Sequence, residues 1–196
     1  MDNKTRLIYR ISIDGILVAL FLVLSLLSIR LGFVEIGIKG SVAILAAVLI
    51  SPIDGLIVGG LGEFLYQVFF SGYGLTPTTM LWVLPLALRP LFIGLFCRYF
   101  EKKGKDFVGF YPRYFIVFGA AALLISLLDT AILQLDGLIM GYPVTFTWVQ
   151  TGIRFLSGQA TAIVVSFLII PLFKALSVIY DKRKTRDLPE EKTESE

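Results

Sequence analysis

Four charges, Glu63, Arg89, Asp129 and Arg154, lie inside stretches that are otherwise apolar and long enough to cross a bilayer. An ionised side chain in hydrocarbon is costly and needs a partner or a polar ligand. All four fall at similar depth, in the half of the membrane away from the basic loops, which predicts one shared polar cavity open to one side. Helical spacing supplies its walls. Glu63, Tyr66, Gln67 and Phe70 stand at i, i+3, i+4 and i+7, and Thr78, Trp82, Pro85 and Arg89 share a stripe. Later segments present Ser126, Asp129 and Thr130 with Leu133, then Thr147, Thr151, Arg154 and Gly158. Aromatic walls with a few placed hydrogen-bonding groups suit a small molecule, and either arginine suits a carboxylate through bidentate pairing. Pro85 and Pro90 flank Arg89 and predict a kinked helix with a freed carbonyl. Three competing readings stand beside these. The four charges could neutralise one another as two structural ion pairs, Tyr66, Trp82 and Trp148 could be interfacial anchors, and Glu35 and Lys39 could form a local pair at a helix start.

The elements that must position these residues follow from composition. Of 196 residues 56% are hydrophobic and only 17% charged, too apolar for a soluble domain of this size. With one cysteine, Cys97, and no histidine, the chain lacks the means for a disulfide scaffold, a His- or multi-Cys zinc site, His-ligated haem or serine–histidine catalysis. Neither a metal nor a cofactor is expected. Six spans are predicted, near Ile11–Ile29, Val34–Ile50, Gly55–Phe70, Thr78–Arg98, Tyr114–Leu135 and from Thr145 past Lys174, with Pro171 as a kink. The second is short, and its outer end should be irregular or packed within protein. The fold class is thus an all-α six-helix transmembrane bundle over residues 1–180, followed by a charged, disordered tail from 181 to 196.

Basic residues set the orientation. Lys4, Arg6 and Arg10 precede the first span, Arg98 to Arg113 carry five between the fourth and fifth, and Lys182 to Arg186 follow the sixth. Both termini should therefore be cytoplasmic and the pocket should face outward. The net charge of +3 follows this topology and implies no nucleic-acid partner. Outer-half cations Arg30, Lys39, Arg89 and Arg154 outnumber Glu35, Glu63 and Asp129, which favours an anionic or zwitterionic ligand.

Small residues form a second pattern. Gly15 and Ala19 are four apart in the first span, as are Gly55 and Gly59 in the third beside Gly60 and Gly62, and Ala43, Ala46 and Ala47 thin the second. Such faces let helices approach closely, either within the bundle or against another membrane subunit.

Together these features resemble the substrate-binding S components of energy-coupling factor (ECF) vitamin transporters. The resemblance rests on the six-span layout, on Gly15-Ile16-Leu17-Val18-Ala19, similar to the family's alanine-x-x-x-alanine docking motif, and on Ser51-Pro52-Ile53-Asp54-Gly55 through Gly59-Gly60-Leu61-Gly62-Glu63, similar to its glycine-proline turn and third helix. Ser51 and Gly15 depart from the usual glycine and alanine, both by small-residue changes. The segment Tyr73 to Thr79 with Trp82 and Arg89 is similar to folate-like and pantothenate-like members. The resemblance implies outward capture of a water-soluble vitamin, folate-like as a first guess, and docking through Gly15 and Ala19 onto a transmembrane coupling subunit with two ATPases. It also implies gating by Ser28–Phe33 and Ser71–Thr79. The binding residues expected are Glu63, Tyr66, Gln67, Tyr73, Thr78, Trp82, Arg89, Asp129, Thr151 and Arg154. No phosphate-binding loop occurs, since Gly104-Lys105-Asp106 lacks the upstream glycine and the hydroxyl.

Two rivals are weighed. A self-sufficient secondary transporter or channel would commonly carry an internal repeat, and the two halves show none. An intramembrane enzyme needs an activated nucleophile. Phe155-Leu156-Ser157-Gly158 is similar to the rhomboid protease serine motif, but without histidine its base is missing.

Overall fold

Among the described residues, apolar runs broken by turn residues become six helices and a small ribbon. In order they are α1 (Asn3–Leu26), β1 (Ile29–Leu31), β2 (Val34–Ile36), α2 (Gly40–Leu49), α3 (Pro52–Phe69), α4 (Thr79–Lys102), α5 (Tyr111–Met140) and α6 (Val144–Arg186). The computed structural model describes residues 3–27, 29–31, 34–36, 38–70, 76–102 and 111–186. Leu7–Leu26, Thr79–Phe100 and Phe115–Met140 are long and apolar enough to cross a membrane.

The expected short second span divides in two. Its outer part is β2, paired antiparallel with β1 in the register Ile29↔Ile36, Arg30↔Glu35 and Leu31↔Val34, and β2 packs against α6. Pairing satisfies backbone groups that an irregular segment would leave open. Only Gly40–Leu49 is helical, and its 10 residues rise about 15 Å, half of a ~30 Å hydrocarbon core. A helix apolar all round must be buried, and α2 is. Val42, Ala43 and Ala46 join Val18, Phe21 and Val58 on one side, while Ile44 joins Ile93, Cys97, Val117, Phe118, Ala121, Val165 and Ile169 on the other.

Between α2 and α3 the chain turns sharply. The Ser51 hydroxyl caps α3 by accepting from Ile53 N, and Pro52 occupies the first turn, where its missing N–H costs nothing. Arg98 Nη2 reaches back from α4 to donate to the Ile50 carbonyl at 3.3 Å, capping the end of α2.

The glycines of α3 serve internal packing. A Cβ at Gly55 would meet Ala47 of α2, one at Gly62 would lie 2.6 Å from Cδ1 of Phe21 in α1, and one at Gly59 would strike the Leu86 carbonyl oxygen of α4. Leu86 is four residues before Pro90, whose ring removes the N–H that this carbonyl would otherwise accept. The expected freed carbonyl therefore exists, and the bare Cα of Gly59 makes room for it. Gly15 differs, since a Cβ there would meet nothing within 4 Å.

Two helix ends lie beyond their expected limits. α5 runs past Leu135 because its stop is Gly141, at φ 73°, with Tyr142 N donating to Gly137 O at 2.9 Å, the Schellman arrangement. Pro143 then opens α6 by accepting from Phe146 N and Thr147 N. α6 continues through Pro171 as one helix to Arg186, six positions beyond the expected boundary at Tyr180, its last turns made of lysine, arginine and other residues compatible with helix. Residues 187–196 of the expected tail lie outside the described residues.

This packing has a measurable signature. Gly59→Val and Gly62→Val should each lower stability by about 1–3 kcal/mol, the cost of overpacking, because α3 must move from α4 or α1. Gly15→Ala should change it by less than ~0.5 kcal/mol. Thermal unfolding of the detergent-solubilised variants checks the contrast.

Candidate functional site

The glycine face fixes where the next turn of α3 points. Glu63 follows Gly62 and is buried at 3% exposure. Its carboxylate meets Lys39, at the start of α2, with Nζ 3.0 Å from Oε2. Gln67, one turn on, donates its Nε2 to Oε1 at 2.8 Å, and the Lys39 ammonium lies 3.9 Å from the centre of the Tyr66 ring. Lys39 thus reaches across to α3. Glu63 has Lys39 among its partners, a residue that the reading with two ion pairs among Glu63, Asp129, Arg89 and Arg154 did not include. Its carboxylate is answered by the Lys39 ammonium and the Gln67 amide, and that ammonium rests on the Tyr66 ring.

Deeper in the bundle, α4, α5 and α6 bring three charges together. The Arg154 guanidinium stacks over Trp82 at 4.4 Å from the ring centre, a cation–π contact strengthened by desolvation. Asp129 interacts electrostatically with Arg154 first and Arg89 second. Arg89 Nε and Nη2 are buried and meet no hydrogen-bond partner among the described residues. One carboxylate facing two guanidiniums leaves a net positive locus, with Arg89 Nε and Nη2 unmatched among the described residues.

Nearer the start of α4 and the joined ends of α5 and α6, hydroxyls and amides dominate. Thr78 Oγ1 donates to Asp136 Oδ1 at 2.5 Å, joining the start of α4 to the end of α5. Thr76 Oγ1 lies 3.1 Å from that of Thr78 and 3.0 Å from that of Thr79. Thr147 Oγ1 donates to Gln134 Oε1 at 3.1 Å. Thr151 spends its hydroxyl on the Thr147 carbonyl at 2.9 Å. Buried Gln134 Nε2, Gln150 Oε1 and Gln159 Nε2 lack partners among the described residues.

The sequence-derived set thus divides. Arg89, Asp129, Arg154 and Trp82 converge, Glu63, Tyr66 and Gln67 form a second group around Lys39, and Thr78 is held by Asp136. Tyr73 lies outside the described residues. Spacing alone missed Lys39 as the counter-ion of Glu63 and passed over Gln134, Asp136 and Gln150. Gln150 precedes Arg154 by one turn and follows Thr147 by three residues, so the face that marked the threonines and the arginine also held the signal for the amide. At the opposite end of the bundle, Gly15 and Ala19 are exposed on α1.

Comparison with known proteins adds to this geometry. A sequence model of the family described as ECF-type riboflavin transporter, S component, matches residues 6–178. Among similar solved structures is the S-component for biotin from an ECF-type ABC transporter, at a TM-score of 0.56 and 16% identity, covering 86% of this chain and 94% of that one. At that identity the likeness concerns the fold. No curated protein sequence matches the chain.

The Lys39–Glu63 pair gives a test of its own. Lys39→Met should destabilise the protein by about 3–5 kcal/mol by leaving a buried carboxylate unanswered. Lys39→Met combined with Glu63→Gln should recover most of that loss. Unfolding midpoints in detergent for the two single variants and the double variant measure the coupling.

Proposed function

The chain belongs to the family of S components of ECF-type riboflavin transporters, and from that premise we propose that it captures a planar, riboflavin-like vitamin in the outer half of the bundle. Membership makes it a membrane-integral transporter component, not an enzyme. The observation that carries the cargo reading is Arg89, whose buried Nε and Nη2 have no protein acceptor among the described residues. A buried donor left unmade costs about 1–3 kcal/mol, and a ligand carbonyl or carboxylate removes that cost on binding. Trp82 under Arg154 offers a ring face for stacking, worth about 0.5–1.5 kcal/mol between aromatics. Gln134 Nε2 and Gln150 Oε1, unpartnered among the described residues, suit the mixed donor and acceptor edge of a heterocycle.

Riboflavin fits a site of this chemistry because its ring carries carbonyl oxygens and its side chain hydroxyls. The excess of guanidinium over carboxylate around Asp129 keeps a second reading, a folate-like anion, in view. Both share a flat heterocycle with a pyrimidine-type edge, and they differ in charge.

The basic ends and the basic α4–α5 connection support cytoplasmic termini. Capture then occurs from outside, and the transport step belongs to a coupling subunit and two ATPases, since the chain has no phosphate-binding loop of its own. Gly15 and Ala19 on the open face of α1 would meet the coupling subunit, where small side chains permit close helix approach.

Two measurements test the proposal. Riboflavin fluorescence should be quenched on binding to the detergent-solubilised protein, and Arg89→Ala should weaken binding by about 1.5–3 kcal/mol, the range for a hydrogen bond to a charged group. Unquenched riboflavin together with saturable folate binding would select the second reading. In proteoliposomes, uptake against a gradient should require the coupling subunit, both ATPases and ATP, and concentrative uptake by the protein alone would sink the division of labour.

A further inference from the structure

The facing flanks of α1 and α3, at the end away from Lys39 and Glu63, carry an acidic pair that the vitamin site does not use. Asp14 is 8% exposed and Asp54 1%. Arg10 sends its Nε to Asp54 Oδ1 at 2.6 Å, and Asp14 lies within hydrogen-bonding reach of Asp54. Two carboxylates therefore share one guanidinium. Asp14 Oδ1 and Asp54 Oδ2 are buried without a hydrogen-bond partner among the described residues.

Asp14 is also the one charged residue lining a groove of about 280 Å³ whose other walls are Ile11, Gly15, Val18, Ile57 and Leu61. The groove is open at Gly15, where a Cβ would meet nothing within 4 Å. Counted from Leu7, where the apolar stretch of α1 starts, Asp14 lies about 10 Å along the helix at ~1.5 Å per residue. Lipid tails at that depth offer no hydrogen-bond donor. Two carboxylates on one guanidinium leave a local excess of acid over base, and a cation supplied by protein would balance it.

Resting on the reading that α1 docks a coupling subunit, we propose that Asp14 is the charged anchor of that interface. It takes a lysine or arginine from a partner helix that lies in the α1–α3 groove over Gly15, with apolar neighbours of that cation seated on Ile11, Val18 and Leu61. Small residues permit the approach, and the carboxylate selects which helix and which register.

The test uses the full chain co-expressed with its coupling subunit and two ATPases. Asp14→Asn, monodisperse in detergent and still binding riboflavin, should associate with the module at least tenfold more weakly than the native chain, and Asp14→Glu should retain most of the association. Asp14→Asn associating as the native chain does, while Gly15→Trp is blocked, would overturn the anchor and leave the docking reading standing. Normal association of Gly15→Trp would overturn docking at this face, and the anchor with it. Should Asp14→Asn fail to fold, labelling of the native protein with dicyclohexylcarbodiimide decides. Asp14 labelled in the free chain and protected in the complex supports the anchor, and equal labelling in both overturns it.

Discussion

The closeness of α3 to its neighbours is the constraint on which the rest of this structure depends. Gly55, Gly59 and Gly62 turn three sides of one helix into bare backbone, so α2, α4 and α1 can each approach where a Cβ would collide. Helices in a bilayer gain little from the hydrophobic effect when they associate, and packing contact takes its place. That contact also sets direction. With Gly62 pressed on Phe21, Glu63 and Tyr66 are carried toward Lys39. With Gly59 under the Leu86 carbonyl, α4 is positioned so that Trp82, one turn before Leu86, lies beneath Arg154. One packing decision thus places both polar groups.

Those two groups answer the same physical problem in different ways. Around Glu63 the protein provides a counter-ion, an amide donor and a ring, and the charge is satisfied without outside help. Around Arg89 it provides a carboxylate already engaged by a second arginine. The first arrangement meets a buried charge from within the protein, and the second leaves Arg89 donors without an acceptor among the described residues, the state in which a buried donor is most valuable to the proposed ligand. The sequence signal was the same for both, a charge in an apolar run. Only the location of partners separates them, and partners come from other helices.

That difference explains what could be read from the chain and what could not. The number of helices and the faces carrying Arg89, Asp129 and Arg154 follow from hydropathy and the helical period, which are local. The shortness of α2 was half visible, since Val34 to Lys39 is a poor helix, but pairing with Ile29–Leu31 is a contact between segments that no periodicity reports. Asp136 lay just past the expected end of the fifth span at Leu135, and its burial against Thr78 is again a contact between segments. Lys39 reads only as a partner of Glu35 because four residues is helical spacing, and its contact with Glu63 of α3 is one that spacing within a segment does not report. In each case a local rule was applied where tertiary contact had replaced the geometry it assumes.

The glycine pattern shows the same ambiguity resolved in opposite directions. Gly15 and Gly59 each head or close a small-residue pair four apart, and sequence gives no reason to treat them differently. In the folded chain one meets open space and the other a backbone carbonyl. The distinction follows from α4, where Pro90 frees the Leu86 carbonyl and makes it protrude as an acceptor that only a glycine can face. Spacing therefore identifies where a helix can approach, while the neighbour's backbone decides whether the approach has already happened. On α3 it has happened within the chain. On α1, a Cβ at Gly15 would meet nothing among the described residues, and the Asp14 carboxylate beside it is where the proposed partner helix would make its contact.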